Sequence, residues 1–297
     1  MNLHNKTLHW PGAPPITRFA PSPTGGLHLG HAFSAILSHD TARALGGRFL
    51  LRLEDIDGGR CRPEFVTGIL EDLRWLGLSW DGPVLRQSER MALYRKHLDH
   101  LTDEGLLYPC FCTRKDIQEE IARSPSAPQG PDGPLYPGTC RTLTQKDRAT
   151  RLATSPPHCL RLDMAKAVKR AGPLTWTCLD DDGKETDIQA RPETFGDVVL
   201  ARKDCPTSYH LAVTIDDASQ GITLVVRGED LREATHVHRL LQALLHLPTP
   251  SYRHHRLLVN DSGKRLAKRD RATTLASLRE SGETPQGIRR RIGPPLT

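Results

Sequence analysis

The 297-residue sequence predicts an α/β fold in which an inserted subdomain splits a parallel, nucleotide-binding sheet. A strand, a helix and a second strand follow one another over residues 16–55. This order begins a parallel sheet, because the crossover helix returns the chain beside its first strand. Cysteines, prolines and short extended pieces replace the pattern from residue 106 to about residue 192. Apolar strands then return, which indicates that the second half of the sheet follows the insertion.

The elements of the first half have recognisable ends. Apolar residues recur at helical spacing from Ala32 to Leu45, and Gly46 provides a stop. Pro63 suits the first position of a later helix, and Gly77 follows its last turn. The predicted order is a strand at 16–20, a helix ending before 46, a strand at 48–55, and helices at 63–76 and 89–104.

Shorter signals define the insertion and the second half. Asp182-Gly183 lies between two strand-like segments and predicts a hairpin turn. Asp230 and Glu233 predict a capping box for a helix that continues to Leu245. Further strands are predicted at 197–201, 209–215 and 222–226.

Composition limits the classes of protein to consider. Lys and Arg number 41 against 35 Asp and Glu, and the net charge of +6 favours a polyanionic partner, with an ordinary basic surface as the alternative. No apolar run approaches the ~20 residues that cross a bilayer, and the start lacks a signal-peptide pattern. Seven unevenly spaced cysteines argue for reduced thiols. We therefore expect a cytoplasmic protein without a membrane partner.

Two histidines stand where the first predicted helix begins. His28 and His31 follow a kinked turn that contains Gly25 and Gly26. A helix start offers unpaired backbone N–H groups and a positive dipole end, so this turn suits a phosphate. Histidines three residues apart can donate to the same anion. The alternative is a capping turn with two surface histidines.

Motifs in a fixed order give the sequence a family resemblance over roughly residues 16 to 270. The strings are Arg18–Gly25 with His28–His31, Leu51–Asp57, Ser208–Ala212, Arg227–Leu231 and Lys264–Arg269. In this order they resemble the class I glutamyl-tRNA synthetases. The resemblance implies a class I synthetase Rossmann-like nucleotide-binding fold with a parallel sheet, split by a zinc-containing insertion and followed by a short C-terminal segment. The expected divisions are 13–105, first half of the catalytic domain; 106–193, inserted subdomain; 194–250, second half; and 251–297, basic signature loop and C-terminal segment.

The resemblance also implies a reaction, in which glutamate is activated by ATP with Mg²⁺. Joining a carboxylate to the α-phosphate gathers negative charge, so hydrogen-bond donors and cations must line the site. Arginine can donate two parallel hydrogen bonds to a carboxylate. The implied catalytic residues are His28, His31 and Lys268. The implied glutamate-binding residues are Arg18, Phe19, Ala20, Pro21, Ser22, Glu54, Tyr209 and Arg227, with Glu54 as the partner of the ammonium group. The implied ATP-binding residues are His28, Gly30, His31, Arg265 and Lys268.

The second signature departs from the family pattern at two positions. Arg265 replaces a compact ammonium group with a planar guanidinium, and Ala267 lacks the usual hydroxyl. Lys268 matches the lysine that contacts ATP. A solvated basic loop is the alternative interpretation of this segment.

Four residues of the insertion are candidate metal ligands. Cys110 and Cys112 lie close together, and Tyr136 and Cys140 follow after a long loop. Zinc favours four such ligands in a tetrahedron, although a single Cys-x-Cys taken alone is better explained by free cysteines. The resemblance to a zinc-containing insertion of some glutamyl-type synthetases implies one structural Zn²⁺ site at these four residues. The remaining cysteines are expected to be packing residues: Cys61, Cys159, Cys178 and Cys205.

The length after the second signature narrows the resemblance. Only 28 residues follow Arg269, fewer than the roughly 50 of a small domain that could recognise an anticodon. With the cysteine insertion, this resembles the glutamyl-Q tRNA(Asp) synthetases, which lack that domain. The resemblance implies transfer of glutamate to queuosine in the anticodon loop of tRNA(Asp), by a monomer. Two alternatives stay open: a minimal glutamyl-tRNA synthetase acting on a terminal adenosine, and a non-catalytic, zinc-containing tRNA-binding protein.

Overall fold

A computed structural model describes residue 10 and residues 12–123, 128–154, 156–258 and 273–293. The strands are β1 Ile16–Phe19, β2 Arg48–Leu53, β3 Leu85–Arg86, β4 Leu107–Cys110, β5 Gln129–Gly130, β6 Gly133–Pro134, β7 Cys159–Leu162, β8 Thr175–Leu179, β9 Glu185–Gln189, β10 Val199–Ala201, β11 Leu224–Gly228 and β12 Ser251–His255. The helices are α1 Leu29–Ala44, α2 Pro63–Trp75, α3 Met91–Asp103, α4 Arg114–Arg123, α5 Gln145–Ala153, α6 Met164–Ala171, α7 Tyr209–Ser219, α8 Ala234–Leu244, α9 Leu275–Glu280 and α10 Pro285–Ile292.

Two sets of strands meet at the middle of the molecule. β1 pairs in parallel with β2, and β2 with β3. β11 pairs in parallel with β12, β12 with β8, and β9 completes that set as an antiparallel edge strand. β1 lies beside the start of β11, where the Thr223 N–H donates to the Ile16 carbonyl at 3.0 Å. The predicted α/β fold with a parallel sheet is confirmed, and so is the hairpin around Asp182-Gly183.

Helix α1 is the crossover that covers this junction. Its buried face includes Phe33 and Ile36, which belong to a core with Phe49 and Leu51 of β2 and Val226 of β11. The residues that bury this face recur at i, i+3 and i+4, the spacing from which the helix was predicted. The carboxyl ends of β1 and β11 therefore lie at the start of one helix.

A second, antiparallel sheet is built largely from the predicted insertion. β7 lies between β4 and β10, and Cys110 at the end of β4 faces Cys159 at the start of β7. β10 follows the predicted division at 193/194, whereas β8 and β9, which precede it, join the sheet of β11 and β12. Hydrogen bonds therefore cross this division, and the domain limits stay predictions. None of the helices in the described ranges has the length and apolarity needed to span a bilayer.

Two sequence-based predictions of secondary structure are wrong. Residues 209–215, predicted as a strand, form the first turns of α7, which Ser208 caps by accepting from the Leu211 N–H. An apolar run that is buried on every side has the same pattern in a strand and in a helix. The predicted capping box at Asp230 and Glu233 is not formed: α8 starts after a short 3-10 turn, and the side chain of Glu233 makes no capping hydrogen bond.

Candidate active site

A cleft of about 380 Å³ opens where β1, β11 and β12 end and α1 begins. The carboxyl ends of parallel strands are the usual position of a ligand in such a sheet. The cleft brings together the predicted glutamate- and ATP-binding residues that the structure describes: Arg18, Phe19, Ala20, Pro21, Ser22, His28, Gly30, His31, Glu54, Tyr209 and Arg227. The predicted Arg265 and Lys268 lie outside the described residues.

The two histidines at the start of α1 cap that helix reciprocally. Nδ1 of His28 accepts from the Gly30 N–H at 3.1 Å, and Nδ1 of His31 accepts from the His28 N–H at 3.3 Å. Because each Nδ1 is an acceptor, the proton of each neutral ring is on Nε2, which can donate. The two rings lie 3.8 Å apart between centroids. Capping and anion binding, the two alternatives from the sequence, are thus compatible in this geometry.

Gly30 keeps these rings in position. A Cβ added at Gly30 would lie 3.1 Å from Cε1 and 3.2 Å from Nδ1 of His28. Contacts this short would displace the His28 ring. A side chain at residue 30 would therefore require the His28 ring to move by a few tenths of an ångström.

Arg227, at the end of β11, is buried among uncharged partners. Its Nη2 donates to Thr235 Oγ1 at 2.6 Å, Nη1 to His238 Nδ1 at 3.2 Å and Nε to His254 Nε2 at 3.3 Å. The hydroxyl of Tyr209 lies 3.5 Å from Nη1. Within the described ranges no carboxylate forms an ion pair with Arg227. The site therefore holds a buried positive charge that favours an anion.

The histidines around Arg227 carry no charge at neutral pH. Burial, followed by repulsion from Arg227, lowers the pKa of His210 to about 4 and that of His254 to about 2. The same two causes lower the pKa of His238 well below its ordinary value. A neutral imidazole accepts a hydrogen bond from Arg227 without compensating its charge.

Arg18 has a different environment from Arg227. Its Nε donates to Asp217 Oδ1 at 2.9 Å, and Arg52 donates to the same oxygen at 2.8 Å. Arg52 also contacts Glu54 at 3.4 Å. Burial raises the pKa of Asp217, but Arg18 and Arg52 outweigh it and hold that pKa below its ordinary value. Asp217 is thus an anion shared by two buried arginines.

Glu54 stands at the edge of this ion-pair network and lines the cleft. Burial raises its pKa above the ordinary value, although Arg52 and Arg18 act in the opposite direction. A cation in the cleft would stabilise its ionised form. This is the arrangement expected of a carboxylate that receives an ammonium group.

Sequence reasoning missed the residues that support the site from behind. Asp217 lies just after the run 209–215, which was predicted as a strand but belongs to α7. A carboxylate beside an apolar run was the feature of the sequence that could have indicated it. Arg52 lies inside the Leu51–Asp57 string, so its charge within a buried strand could also have been noticed. Thr235 and His238 carried no signal, because only the packing of α8 brings them to Arg227.

The residues just before and just after 259–272 lie at the cleft, whereas 259–272 themselves are outside the described residues. Leu257 and Leu258 line the cleft before that segment. After it, Thr274 forms a β-bridge with His28, and the Leu275 N–H donates to the Leu27 carbonyl at 2.8 Å. Both ends of the segment that contains Lys268 are therefore attached near the histidines.

The predicted metal ligands lie together at the end of β4. Sγ of Cys112 lies 3.5 Å from Sγ of Cys140 and 3.5 Å from the Tyr136 hydroxyl, and Sγ of Cys110 lies 3.3 Å from that hydroxyl. The three sulfur atoms are within 4.8 Å of one another. Zn–S bonds of about 2.3 Å in a tetrahedron separate ligand atoms by roughly 3.5 to 3.8 Å. These side chains therefore fit a Zn²⁺ ion.

The thiols of this cluster differ in acidity. A hydrogen bond from Cys159 is the largest cause that lowers the pKa of Cys110 to about 4. Burial acts in the opposite direction, and hydrogen bonds from Tyr136 and Arg161 lower the pKa further. Burial raises the pKa of Cys112 to about 11, so its thiolate needs a nearby cation. Cys159, expected to be a packing residue, is buried beside Cys110 and contributes to the cluster through this contact.

Comparisons with known proteins identify the family of the chain. Residues 16–293 match the family model for tRNA synthetases class I (E and Q), catalytic domain. A glutamyl-Q tRNA(Asp) synthetase from Rhodobacter capsulatus is 54% identical over 286 residues, which are 94% of this chain and 99% of the relative. The protein of that name from Nocardia farcinica is 44% identical over 278 residues, 91% of this chain and 81% of the relative.

A solved structure gives the same fold. The crystal structure of a glutamate-tRNA synthetase from Elizabethkingia anophelis matches with a TM-score of 0.75 and 28% identity. The match covers 92% of this chain but 60% of the synthetase, so this chain spans less than two thirds of that protein. Together with the curated relatives, it shows that the chain is a ligase of the glutamyl-Q tRNA(Asp) synthetase family, within the class I (E and Q) tRNA synthetases.

Proposed function

We propose that this enzyme activates L-glutamate with ATP and transfers the glutamyl group to queuosine in the anticodon loop of tRNA(Asp). Membership of the family supports glutamate, ATP and a tRNA as substrates. The observation that carries the proposal is one cleft in which a buried arginine without a carboxylate partner in the described residues lies near two histidines at a helix start. Such a cleft can bind an acidic amino acid beside a triphosphate.

Glutamate is bound through its three charged groups. Arg227 donates to the side-chain carboxylate, with Arg18 beside it and Tyr209 bounding the pocket. Glu54 accepts the ammonium group, whose charge lowers the raised pKa of this carboxyl. Phe19 to Ser22 line the same cleft and are proposed to contact the bound glutamate. The α-carboxylate then faces the helix start, where it attacks the α-phosphate.

ATP is bound at the start of α1. The Nε2–H groups of His28 and His31, with the positive end of the helix, stabilise the charge that develops as pyrophosphate leaves. Gly30 also lines the cleft and leaves room for the ring of His28. Mg²⁺ bound to ATP supplies further neutralisation of the phosphate oxygens. Lys268 and Arg265 are proposed as cations from the segment between Leu258 and Thr274, whose two ends lie at this cleft.

The acceptor is a hydroxyl of the modified base. It attacks the carbonyl of glutamyl-adenylate and loses its proton to solvent, the new ester forms, and AMP leaves with the oxygen that bridged carbonyl and phosphate. The names of the relatives support this acceptor over a terminal adenosine. Phosphate contacts would orient the anticodon stem, as they do in most complexes with nucleic acids.

The cysteine cluster is proposed as a structural Zn²⁺ site formed by Cys110, Cys112, Cys140 and Tyr136. Zinc would join the end of β4 to the loop that carries Tyr136. We expect about one Zn²⁺ per wild-type chain by elemental analysis and a strong loss in a Cys110→Ser/Cys112→Ser double variant. Cys61→Ser, a partly exposed thiol outside the cluster, is the matched control. Equal zinc in the double variant and the wild type would reject the site.

The function is tested with labelled glutamate, ATP and Mg²⁺ in the presence of three RNAs. These are tRNA(Asp) with queuosine, tRNA(Asp) without it, and tRNA(Glu). We expect label on the first RNA alone. Label on tRNA(Glu) alone would support the minimal synthetase, and RNA binding without formation of glutamyl-adenylate would support the non-catalytic alternative.

A further inference from the structure

Three neutral groups take one N–H each from the three nitrogens of Arg227. They are His238 on Nη1, Thr235 on Nη2 and His254 on Nε. A guanidinium has five N–H groups, so Nη1 and Nη2 keep one each. The remaining contact of Nη1 is the Tyr209 hydroxyl at 3.5 Å, at the limit of a hydrogen bond. Two donors of Arg227 are thus available to a carboxylate.

The direction of the hydrogen bonds that join Arg227, His238 and His210 follows from the donors that arginine carries. Arginine can only donate, so Nδ1 of His238 is an acceptor and its ring proton is on Nε2. That nitrogen lies 3.2 Å from Nδ1 of His210 and donates to it. His210 in turn carries its proton on Nε2. When both imidazoles are neutral, the protons of the hydrogen bonds that join Arg227, His238 and His210 can therefore be placed in only one way.

This arrangement leaves the charge of Arg227 uncompensated. Arg18, which also lines the cleft, and the fully buried Arg52 share the carboxylate of Asp217. Arg227 is 4% exposed and makes its side-chain hydrogen bonds with hydroxyls and imidazoles. A buried, unpaired charge is costly, and an anionic ligand removes that cost whereas a neutral carboxamide does not. The amide N–H groups of a carboxamide would also face the N–H donors of Arg227.

We propose that His238 is a positioning residue that determines specificity. By accepting from Arg227 without bringing a negative charge, it orients the guanidinium and keeps its charge for the substrate carboxylate, so that the enzyme prefers glutamate to glutamine. The proposal rests on the proposed function, in which Arg227 binds the side chain of the amino acid.

Two substitutions of nearly equal volume separate charge from packing. His238→Asn keeps a neutral acceptor, whereas His238→Asp introduces a carboxylate next to the guanidinium. We expect His238→Asp to raise the KM for glutamate in ATP–pyrophosphate exchange by about tenfold or more, with kcat changed less, and to lower the preference for glutamate over glutamine by about tenfold. His238→Asn should stay within about threefold of the wild type on both measures.

The result that overturns the inference is an equal effect of the two variants, or an unchanged preference in His238→Asp. If His238→Asp does not fold, as judged by circular dichroism, His254→Glu, whose longer side chain reaches the position of His254 Nε2, brings a carboxylate to Nε of the same guanidinium and carries the same expectation. Arg227→Gln distinguishes a failure of the proposed function from a failure of the inference about His238. If it keeps the wild-type KM for glutamate, the proposed function of Arg227 is wrong; if it loses glutamate while His238→Asp does not, only the inference about His238 is wrong.

Discussion

At the scale of single residues, the buried arginines of the site differ in whether a carboxylate compensates their charge. Arg18 and Arg52 pair with the carboxylate of Asp217, and Arg52 also with Glu54, whereas Arg227 donates to hydroxyls and neutral imidazoles. The sequence motifs identified Arg18 and Arg227 as candidates but assigned them the same task. Their different partners come from α7 and α8, at distances along the chain that no local pattern reports. Only the fold therefore shows that Arg18 is paired with a carboxylate whereas Arg227 is not.

Removing the charge of Asp217 should destabilise the fold. Asp217→Asn would leave two buried guanidinium groups, of Arg18 and Arg52, facing one neutral amide, and the free energy of unfolding should fall by about 3 to 5 kcal/mol. Denaturant titration of the whole protein measures this loss. Asp181→Asn is the matched control, because Asp181 is half-exposed where it pairs with Arg253 and its loss should cost less than about 1 kcal/mol. Similar losses in both variants would contradict the assigned network.

At the scale of elements, the start of α1 connects local sequence with the site. The turn, the helix and the stop at Gly46 were predicted from spacing alone and are confirmed, with α1 ending at Ala44. By contrast, α7 was predicted as a strand, because its first two turns bury apolar side chains in succession. The correct assignment required its neighbours, which bury all sides of the run. Boundaries with a glycine or a cap are therefore predictable here, and fully buried segments are not.

A methyl group at Gly30 should disturb ATP binding more than stability. In Gly30→Ala the new Cβ would press on the His28 ring at 3.1 Å, so we expect the KM for ATP in pyrophosphate exchange to rise several-fold. Gly68→Ala, the same change in α2 with no atom within 4 Å of the new Cβ, should leave the KM unchanged and stabilise the helix by about 0.5 to 1 kcal/mol. An unchanged KM in Gly30→Ala would show that the ring position is not needed.

At the scale of the whole molecule, helices α9 and α10 are fastened to the first half of the sheet. Arg279 of α9 reaches Glu71 and Asp72 of α2, and Arg289 of α10 pairs with Asp40 of α1 at 2.5 Å. These contacts attach the chain that follows residues 259–272 to α1 and α2, and the bridge between Thr274 and His28 places its first residues at the start of α1. The sequence predicted a basic C-terminal segment, but the carboxylates that receive it could be identified only from the structure.

The burial of Asp72 makes stability depend on pH. Burial, despite Arg279, raises the pKa of Asp72 to about 6 in the folded protein, above the ordinary value of 3.8. The folded state therefore binds this proton more tightly than the unfolded state, and the contribution of Asp72 to stability falls as pH rises from about 4 to about 6. Asp72→Asn should raise the free energy of unfolding by about 1 to 2 kcal/mol at pH 8 and leave it unchanged below pH 4.

Urea denaturation at the two pH values checks this expectation. Glu71→Gln is the control, because Glu71 contacts the same Arg279 but is half-exposed. A gain in Asp72→Asn that is equal at pH 4 and pH 8 would mean that Asp72 does not carry the pH dependence.

The central claim is that the cleft delivers glutamate to an anticodon base, and the position of the label on the RNA tests it most directly. tRNA(Asp) with queuosine is incubated with the enzyme, ATP, Mg²⁺ and labelled glutamate, then cut by a nuclease into fragments that separate the anticodon loop from the terminal adenosine. The account predicts label on the fragment that contains queuosine. Label on the fragment that ends in the terminal adenosine would contradict it.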